Sequence, residues 1–308
     1  MRRMMVLPVL TVFVAAAVAQ AQGQKGDAAF AGGLGAARQL MLAQQAGTVF
    51  SWQTRDVLLV KLQDPDAGVR KAALKSLRDY AGQSPYVWQT ILAVLNNPKE
   101  EPAVRYEAVK TLSRVAKYPE VRETLGRYAA DPATPAEFKG ICYKALYGQA
   151  AGNPEVTAFL LKATALEQSK EAMLGAVWAL SQASNYPAVA GRLMEIASKH
   201  PDLDIRVQAV RGLYRGMGRP EVFGAMLQTA ANAGTPAQMR YPAILALSKV
   251  KTPAQQQVLQ AISLADRDPA MREAASLAMN PRDARILTYF YVPMATGNGA
   301  FVDPLENE

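Results

Sequence analysis

The sequence predicts an all-α fold, an α-solenoid (superhelix) of about seven repeated helix–turn–helix units. The first observation is a column of large apolar residues at intervals of 35, 34, 34, 33, 34 and 32 residues. Its members, the anchors of the units, are Leu77, Leu112, Leu146, Leu180, Leu213, Leu247 and Met279. The second is a column of prolines with nearly the same period: Pro85, Pro119, Pro154, Pro187, Pro220 and Pro253. Two columns that stay in step over this length are typical of a stacked repeat array.

The second helix of each unit is clearest in the stretch DPDAGVRKAALKSL, residues 64–77. Val69, Ala73 and Leu74 stand eight, four and three residues before the anchor Leu77, so all four fall on one side of an α-helix. The position four residues before the anchor is small in every unit: Ala73, Ala108, Cys142, Ala176, Ala209, Ala243 and Ala275. A small residue there lets neighbouring helices approach closely, and Cys142 is therefore predicted to be buried and inert.

The first helix of each unit is predicted to begin at its proline, because the missing proline N–H would be unpaired in a first turn anyway. Ser84 and Asn153 are natural N-caps just before their prolines. The turn between the two helices is often Asp-Pro or Asn-Pro, at Asp64-Pro65, Asn97-Pro98, Asp131-Pro132 and Asp268-Pro269. The fourth unit lacks this turn, yet Ala176 and Leu180 keep its register. We place the repeat solenoid at residues 51–281.

The composition suits a packed helical protein and offers little for catalysis. Half of the residues are hydrophobic and 19% are charged, which is enough for a continuous core. Cys142 is the single cysteine and His200 the single histidine, so neither an internal disulfide nor a His/Cys metal cluster can form. We therefore predict no metal, no cofactor, no catalytic residues and no enzymatic activity.

The N-terminus has the layout of a secretory signal peptide: two arginines, an apolar run, and small residues followed by glutamine. Cleavage is expected after Ala19 or Ala21, so residues 1–21 are assigned to a signal peptide and the mature protein to the periplasm or to secretion. A retained membrane anchor and a twin-arginine signal at Arg2-Arg3 are the alternatives, and no other stretch is apolar enough to span a bilayer. Residues 22–50 are predicted to be a linker and an N-terminal cap helix.

Residues 282–308 are predicted to be an apolar cap segment followed by a frayed tail. The stretch 284–294, ARILTYFYVPM, is unusually apolar and aromatic. The end of a solenoid needs a cover, so we expect Ile286, Leu287 and Phe290 to pack over the seventh repeat. The alternative is a docking segment for a partner.

Basic residues recur in the first turn of the second helices: Arg70, Arg105, Lys139, Arg206, Arg240 and Arg272. A cation is mildly unfavourable at the positive end of a helix, so something must compensate it. An acidic side chain or a carbonyl in the turn of the same or adjacent unit can do so, and the acids Asp64, Asp66, Asp202, Asp204 and Asp268 are available. Structural pairing at repeat junctions is therefore the expected role of this basic column.

A second set of basic and aromatic residues follows one face of the same helices. The candidate partner-binding residues are Tyr106, Lys110, Arg114, Lys144, Trp178, Arg211, Arg215, Tyr241 and Lys249. Second helices normally line the concave side of such a solenoid, and a cationic, aromatic groove suits an acidic protein segment or an anionic polymer. A solvated helix face is the alternative.

The pattern resembles HEAT repeats, and the residues that carry the resemblance are in DPDAGVRKAALKSL (64–77), EEPAVRYEAVKTL (100–112) and DLDIRVQAVRGL (202–213). The resemblance implies the solenoid fold but no single function, because solenoids of this family hold very different partners. It also leaves a HEAT-like enzyme, similar to phycobilin lyases or a DNA-repair glycosylase family, as an alternative if the N-terminus is not an export signal. Stacking of array ends into a larger assembly is a third possibility.

These observations together predict a protein-interaction or scaffolding protein of the bacterial envelope. The expected partner is another protein or an anionic envelope polymer, with nucleic acid the least expected because of the export signal. The oligomeric state is left open.

Overall fold

The structure, a computed structural model, describes residues 52–280 together with Ile286, Tyr289 and Phe290. The described residues form fourteen α-helices and no strand, in two compact units of which the first ends at Leu112 and the second begins at Ser113. The predicted signal peptide (1–21), the linker with its cap helix (22–50), and most of the cap segment with its tail (282–308) lie outside the described residues. None of the helices that the structure describes is both long and apolar enough to cross a membrane.

The first unit contains two helical repeats. Its helices are α1 (Trp52–Lys61), α2 (Ala67–Leu77), α3 (Pro85–Asn96) and α4 (Pro102–Leu112). Within each repeat the two helices pack against each other, and the second helices α2 and α4 also pack on each other. Repeats are therefore stacked through their second helices.

The second unit contains five more repeats. Its helices are α5 (Pro119–Ala130), α6 (Ala136–Ala145), α7 (Pro154–Leu166), α8 (Lys170–Leu180), α9 (Pro187–Lys199), α10 (Leu203–Gly212), α11 (Pro220–Ala231), α12 (Ala237–Ala246), α13 (Pro253–Ala265) and α14 (Pro269–Met279). Short 3₁₀ turns follow several second helices, at Ser113–Val115, Tyr147–Gln149, Ser181–Ala183, Leu213–Gly216 and Leu247–Lys249. The second helices α6, α8, α10, α12 and α14 pack on one another in chain order. The predicted all-α solenoid is confirmed.

The helix starts follow the proline column as predicted. Each of α3, α5, α7, α9, α11 and α13 has its proline in the first turn. Asn153 caps α7, with its side chain accepting hydrogen bonds from the N–H groups of Glu155 and Val156. Ser84 occupies the N-cap position of α3, as predicted, but its side chain makes no capping hydrogen bond. Thr252 caps α13 by accepting from the Gln255 N–H.

The anchor column forms the core, with one exception at the end. The six leucine anchors are at most 1% exposed, and Cys142 is fully buried in the small-residue column, as predicted. Met279, the anchor of the seventh repeat, is 47% exposed. An anchor is covered by the helices of its neighbours, and no further repeat follows α14 within the described residues.

The basic column is paired inside the array, as expected. Five of its side chains donate hydrogen bonds to main-chain carbonyl oxygens: Arg70 to Asp64, Arg105 to Leu95, Arg206 to Ala197, Arg240 to Ala230 and Arg272 to Asp266. The acids differ from those suggested by the sequence. Glu100, Glu167 and Asp266, each in the turn of the next repeat, pair with Arg70, Lys139 and Arg240 respectively.

The turn acids that the sequence offered have other roles. Asp66, Asp202 and Asp268 are N-caps of α2, α10 and α14, accepting hydrogen bonds from main-chain N–H groups of the first turn. Asp204 pairs with Lys170. Asp202 combines its capping role with an ion pair to Lys170, at 3.1 Å.

Two glycines bring the second helices of the third and fourth repeats into close contact. A Cβ atom added at Gly140 would lie 2.6 Å from the carbonyl oxygen of Glu171, and one added at Gly175 would collide with the carbonyl of Gly140. The backbones of α6 and α8 therefore touch where any side chain would intrude. The irregular fourth repeat is held to its neighbour by this contact.

Candidate protein-interaction surface

The predicted partner-binding residues lie along the second helices and the 3₁₀ turns that follow them, but they differ widely in exposure. Tyr106 and Lys110 belong to the first unit, and the other seven to the second. Lys110, Trp178 and Arg211 are buried; Tyr106, Lys144, Arg215 and Tyr241 are half-buried; Arg114 and Lys249 are exposed. The predicted stripe is thus not a uniformly solvated helix face.

An aromatic pair occupies the stripe at the third and fourth repeats. The rings of Tyr147 and Trp178 stack with centroids 5.4 Å apart and an interplanar angle of 23°. Trp178 is 7% exposed, and its Nε1 is buried with no hydrogen-bond partner among the described residues. A buried indole N–H normally finds an acceptor, so this position has an unused donor beside a ring stack.

The fifth and sixth repeats carry the larger cluster, in which Arg211 is central. Arg211 is 6% exposed, and its Nη2 donates a hydrogen bond of 2.7 Å to the carbonyl oxygen of Tyr289. Its guanidinium carbon lies 4.6 Å from the centroid of the Tyr289 ring, a cation–π contact. A predicted contact for a partner is therefore occupied by another part of the same chain.

Four further side chains complete this cluster. The ring of Phe290 stacks on Tyr214 with centroids 4.0 Å apart and an angle of 9°. Tyr289 meets Tyr241 edge to face, with centroids 5.3 Å apart. Lys249 Nζ lies 4.7 Å from the centroid of the Tyr214 ring and donates a 3.2 Å hydrogen bond to the Tyr214 carbonyl. We call Arg211, Tyr214, Tyr241 and Lys249 the second-helix surface, and Ile286, Tyr289 and Phe290 the aromatic segment.

Burial shapes the electrostatics of this cluster. Removal from water lowers the pKa of the Arg211 guanidinium, which nevertheless stays charged at neutral pH. Burial of its amine, followed by repulsion from Arg215, lowers the pKa of Lys249, although the side chain as a whole is exposed. Burial also raises the pKa of the Tyr289 hydroxyl. Cations that have lost water interact more strongly with ring faces and carbonyl dipoles than solvated ones do.

Two aromatic residues, one in this cluster and one in the Tyr147–Trp178 pair, were missed by sequence reasoning. Tyr147 and Tyr214 each directly follow an anchor, Leu146 and Leu213, so they share one repeat position. The repeat position directly after the anchor could therefore have identified these two tyrosines. The other repeats have arginine, serine or asparagine there, which hides the aromatic pattern.

The two rings of the aromatic segment contact the fifth and sixth repeats. Packing over the seventh repeat was expected, but the ring of Phe290 contacts Tyr214 of the fifth repeat, and Tyr289 contacts the fifth and sixth. Ile286 and Phe290 are 1% and 8% exposed, so the segment is well buried. Leu287 lies outside the described residues. The aromatic side chains find partners on the second helices, where an aromatic and cationic surface already exists.

A buried ion pair distinguishes the first unit. Arg78 Nη2 and Glu107 Oε1 are 2.8 Å apart, and both side chains are less than 8% exposed. The Thr111 hydroxyl donates to the Leu74 carbonyl across α4 and α2. These bonds connect the first two repeats. Among the described residues, no group of His, Cys, Asp and Glu side chains is arranged to hold a metal ion.

Comparison with known proteins gives a family match. The family model described as HEAT repeats matches residues 55–146 and 190–280, more than half of the chain. The unmatched interval, 147–189, contains the irregular fourth repeat, which the structure nevertheless folds as α7 and α8. No curated protein matches the chain.

Several solved structures are similar in fold. Human deoxyhypusine hydroxylase in complex with glycerol is 21% identical with a TM-score of 0.35, over 88% of this chain and 97% of that one. The CpcE–CpcF complex of phycocyanin lyase from Nostoc sp. PCC7120 is 13% identical with a TM-score of 0.46, over 79% and 95%. Kap95p bound to RanGDP is 13% identical with a TM-score of 0.51, over 76% and 33%. At these identities the similarity establishes the fold alone.

One prediction needs correction in this light. The chain was predicted to have no enzymatic activity. The similar structures include a hydroxylase and a lyase, so the prediction that this fold excludes enzymatic activity is wrong. Repeats of this kind occur in enzymes as well as in binding proteins.

Proposed function

This chain belongs to the HEAT-repeat family, and from that premise we propose that it is a scaffold that binds a partner protein through its second-helix surface. The observation that carries the proposal is the aromatic segment held against Arg211, Tyr214 and Tyr241. A surface that binds one polypeptide segment through ring stacking, a cation–π contact and a main-chain hydrogen bond has the chemistry to bind another.

The contacts are of the kind that dominate protein interfaces. Aromatic side chains and arginine are enriched among the residues that contribute most to binding, since they bury a large area and keep a polar group available. Each aromatic pair contributes about 0.5–1.5 kcal/mol beyond its buried area. Arg211 adds a hydrogen-bond donor that recognises a main-chain carbonyl. The surface therefore suits a polypeptide better than a polymer that offers only charge.

The partner-binding residues outside this cluster define how far the proposed interface extends. Lys144 and the Tyr147–Trp178 pair lie on the third and fourth repeats, whose second helices continue the same stack. In the proposal, a partner that covers the fifth and sixth repeats extends along this stack. An anionic envelope polymer is the competing ligand class, and strong weakening of binding by salt would distinguish it.

Photo-crosslinking in cells tests this function. A photoreactive amino acid at Lys144 or Lys249 should give the same discrete crosslinked protein, because both positions face the proposed interface. The same amino acid at Lys162 of α7, an exposed first-helix position, is the matched control and should give no such product. Equal yields from the three positions, or no product from the first two, would contradict the proposal.

We further propose that the protein acts outside the cytoplasm. The three-part pattern of residues 1–21 supports export, and cleavage after Ala19 or Ala21 would leave Gln20 or Gln22 as the first residue. Intact mass measurement on protein recovered from the periplasmic fraction should give one of these two masses. Recovery of the chain with Met1 in the cytoplasmic fraction would contradict export.

A further inference from the structure

The aromatic segment combines two adjacent rings set at a wide angle. The rings of Tyr289 and Phe290 meet edge to face at 87°, with centroids 5.2 Å apart. This angle lets each ring meet a different tyrosine: Phe290 lies flat on Tyr214, while Tyr289 meets Tyr241 by its edge. The corner between the fifth and sixth repeats is thus complementary to an adjacent aromatic pair in a helical turn.

Arg211 contacts both the ring and the main chain of Tyr289. Its guanidinium lies under the Tyr289 ring and donates a hydrogen bond to the Tyr289 carbonyl. One side chain therefore fixes both the position of the aromatic residue and the path of its main chain. A ligand would need a ring and a free carbonyl at one residue to reproduce these contacts.

On the basis of the proposed function, we propose that the partner presents a short segment with two adjacent aromatic residues, and that the aromatic segment occupies the same surface until this partner displaces it. The segment and the partner segment are alternative ligands of Arg211, Tyr214 and Tyr241. Binding of one excludes the other.

Covalent linkage explains why the segment is bound in the free protein. A tethered ligand has an effective concentration in the millimolar range, so individually weak contacts are enough to keep it in place. A separate peptide at micromolar concentration competes poorly with it. Once the tethered rings are removed, the same peptide should bind without this competitor.

A fluorescent peptide with the sequence of residues 284–294, ARILTYFYVPM, tests this competition. Fluorescence anisotropy would measure its binding to the full chain and to the double variant Tyr289→Ala/Phe290→Ala. We expect the double variant to bind the peptide at least tenfold more tightly than the unaltered chain. Adding Arg211→Gln to the double variant should remove at least tenfold of that affinity, since the ring and carbonyl contacts are lost together.

Two controls distinguish specific from non-specific binding of the peptide. Arg267→Gln, the same substitution at an exposed residue of the seventh repeat, should leave the peptide affinity of the double variant unchanged. A peptide with alanine at the positions of Tyr289 and Phe290 should not bind. Thermal unfolding of the double variant should stay within a few degrees of the unaltered chain, because the helices of the repeats do not depend on a displaceable ligand.

Equal peptide affinity of the two proteins would overturn the competition. So would a large drop in melting temperature of the double variant without peptide binding, which would identify the segment as a permanent part of the fold. The failure of the proposed function is distinguishable: loss of the crosslinked partner at Lys144 and Lys249 refutes the scaffold function whatever the peptide does. An unchanged crosslink yield in the double variant, together with no peptide binding, refutes only the competition.

Discussion

Single residues in the first turn of the second helices connect one repeat to the next. Arg240 is an example: its Nε donates to the Ala230 carbonyl, and its Nη2 pairs with Asp266 in the turn of the following repeat. The two side chains are 7% and 10% exposed. The hydrogen bond from Arg240 is the main reason that the pKa of Asp266 is lowered from its ordinary value.

Asp266→Asn should destabilise the protein in a pH-dependent way. A carboxylate with a lowered folded-state pKa contributes its full stability above the unfolded-state pKa, 3.8, and loses it as the pH falls through the folded-state value. Removing one partner of a buried pair costs about 3 kcal/mol at neutral pH. Urea unfolding at pH 7 and at pH 3 should show a large difference from the unaltered chain at pH 7 and a smaller one at pH 3.

The control for this prediction is Asp204→Asn. Asp204 is 66% exposed in its contact with Lys170, so solvent screens the pair and its loss should leave the urea midpoint unchanged. Equal destabilisation by the two substitutions would contradict a special role for the buried junction.

The roles of single residues could be predicted from the sequence where electrostatics requires a particular kind of contact. A cation at the positive end of a helix must be compensated, and this predicted the structural role of Arg70 and Arg240. Glu100 and Asp266 were not among the acids named from the sequence, because which turn acid reaches the cation depends on how the repeats stack. Burial of Lys110 and Arg211 was missed for the same reason.

At the scale of elements, α6 and α8 are in backbone contact at Gly140 and Gly175. Gly175→Ala would place a Cβ atom against the Gly140 carbonyl, and the helices would have to move apart. Overpacking of this kind costs about 1–3 kcal/mol. A lower melting temperature in thermal unfolding is therefore the expected result.

Gly191→Ala, in α9, is the matched control because no atom lies within 4 Å of its added Cβ. Replacing an exposed helical glycine by alanine should instead stabilise the helix by about 0.5–1 kcal/mol. Opposite signs for the two substitutions support a backbone contact at Gly140 and Gly175. A stabilising Gly175→Ala would show that α6 and α8 are further apart.

The helices themselves could be placed from the sequence because prolines mark their starts and anchors mark their ends. The α7–α8 repeat has neither an Asp-Pro turn nor a basic residue at its column, and the family model passes over it as well. Ala176 and Leu180 were enough to place it. The aromatic segment could not be placed, because its partners Tyr214 and Tyr241 lie more than forty residues away and no repeat pattern links them to it.

For the molecule as a whole, the repeat period predicts a solenoid and the family match confirms it. The proposed function depends on the second-helix surface, which the repeat pattern predicts only in part. The periodic positions of a repeat sequence predict which residues are buried in the core. They say less about which cationic and aromatic residues are already occupied by the chain, as Arg211 is. Recognition of a partner therefore depends on contacts between distant segments, which periodicity does not encode.

The most direct test is the affinity of the crosslinked partner for purified variants, measured by titration calorimetry. The double variant Tyr241→Ala/Lys249→Gln alters the second-helix surface at side chains that are not fully buried, so it should fold. We expect the two substitutions together to weaken binding at least tenfold, with Arg267→Gln indistinguishable from the unaltered chain. Equal affinity of all three proteins would contradict a partner-binding role for this surface.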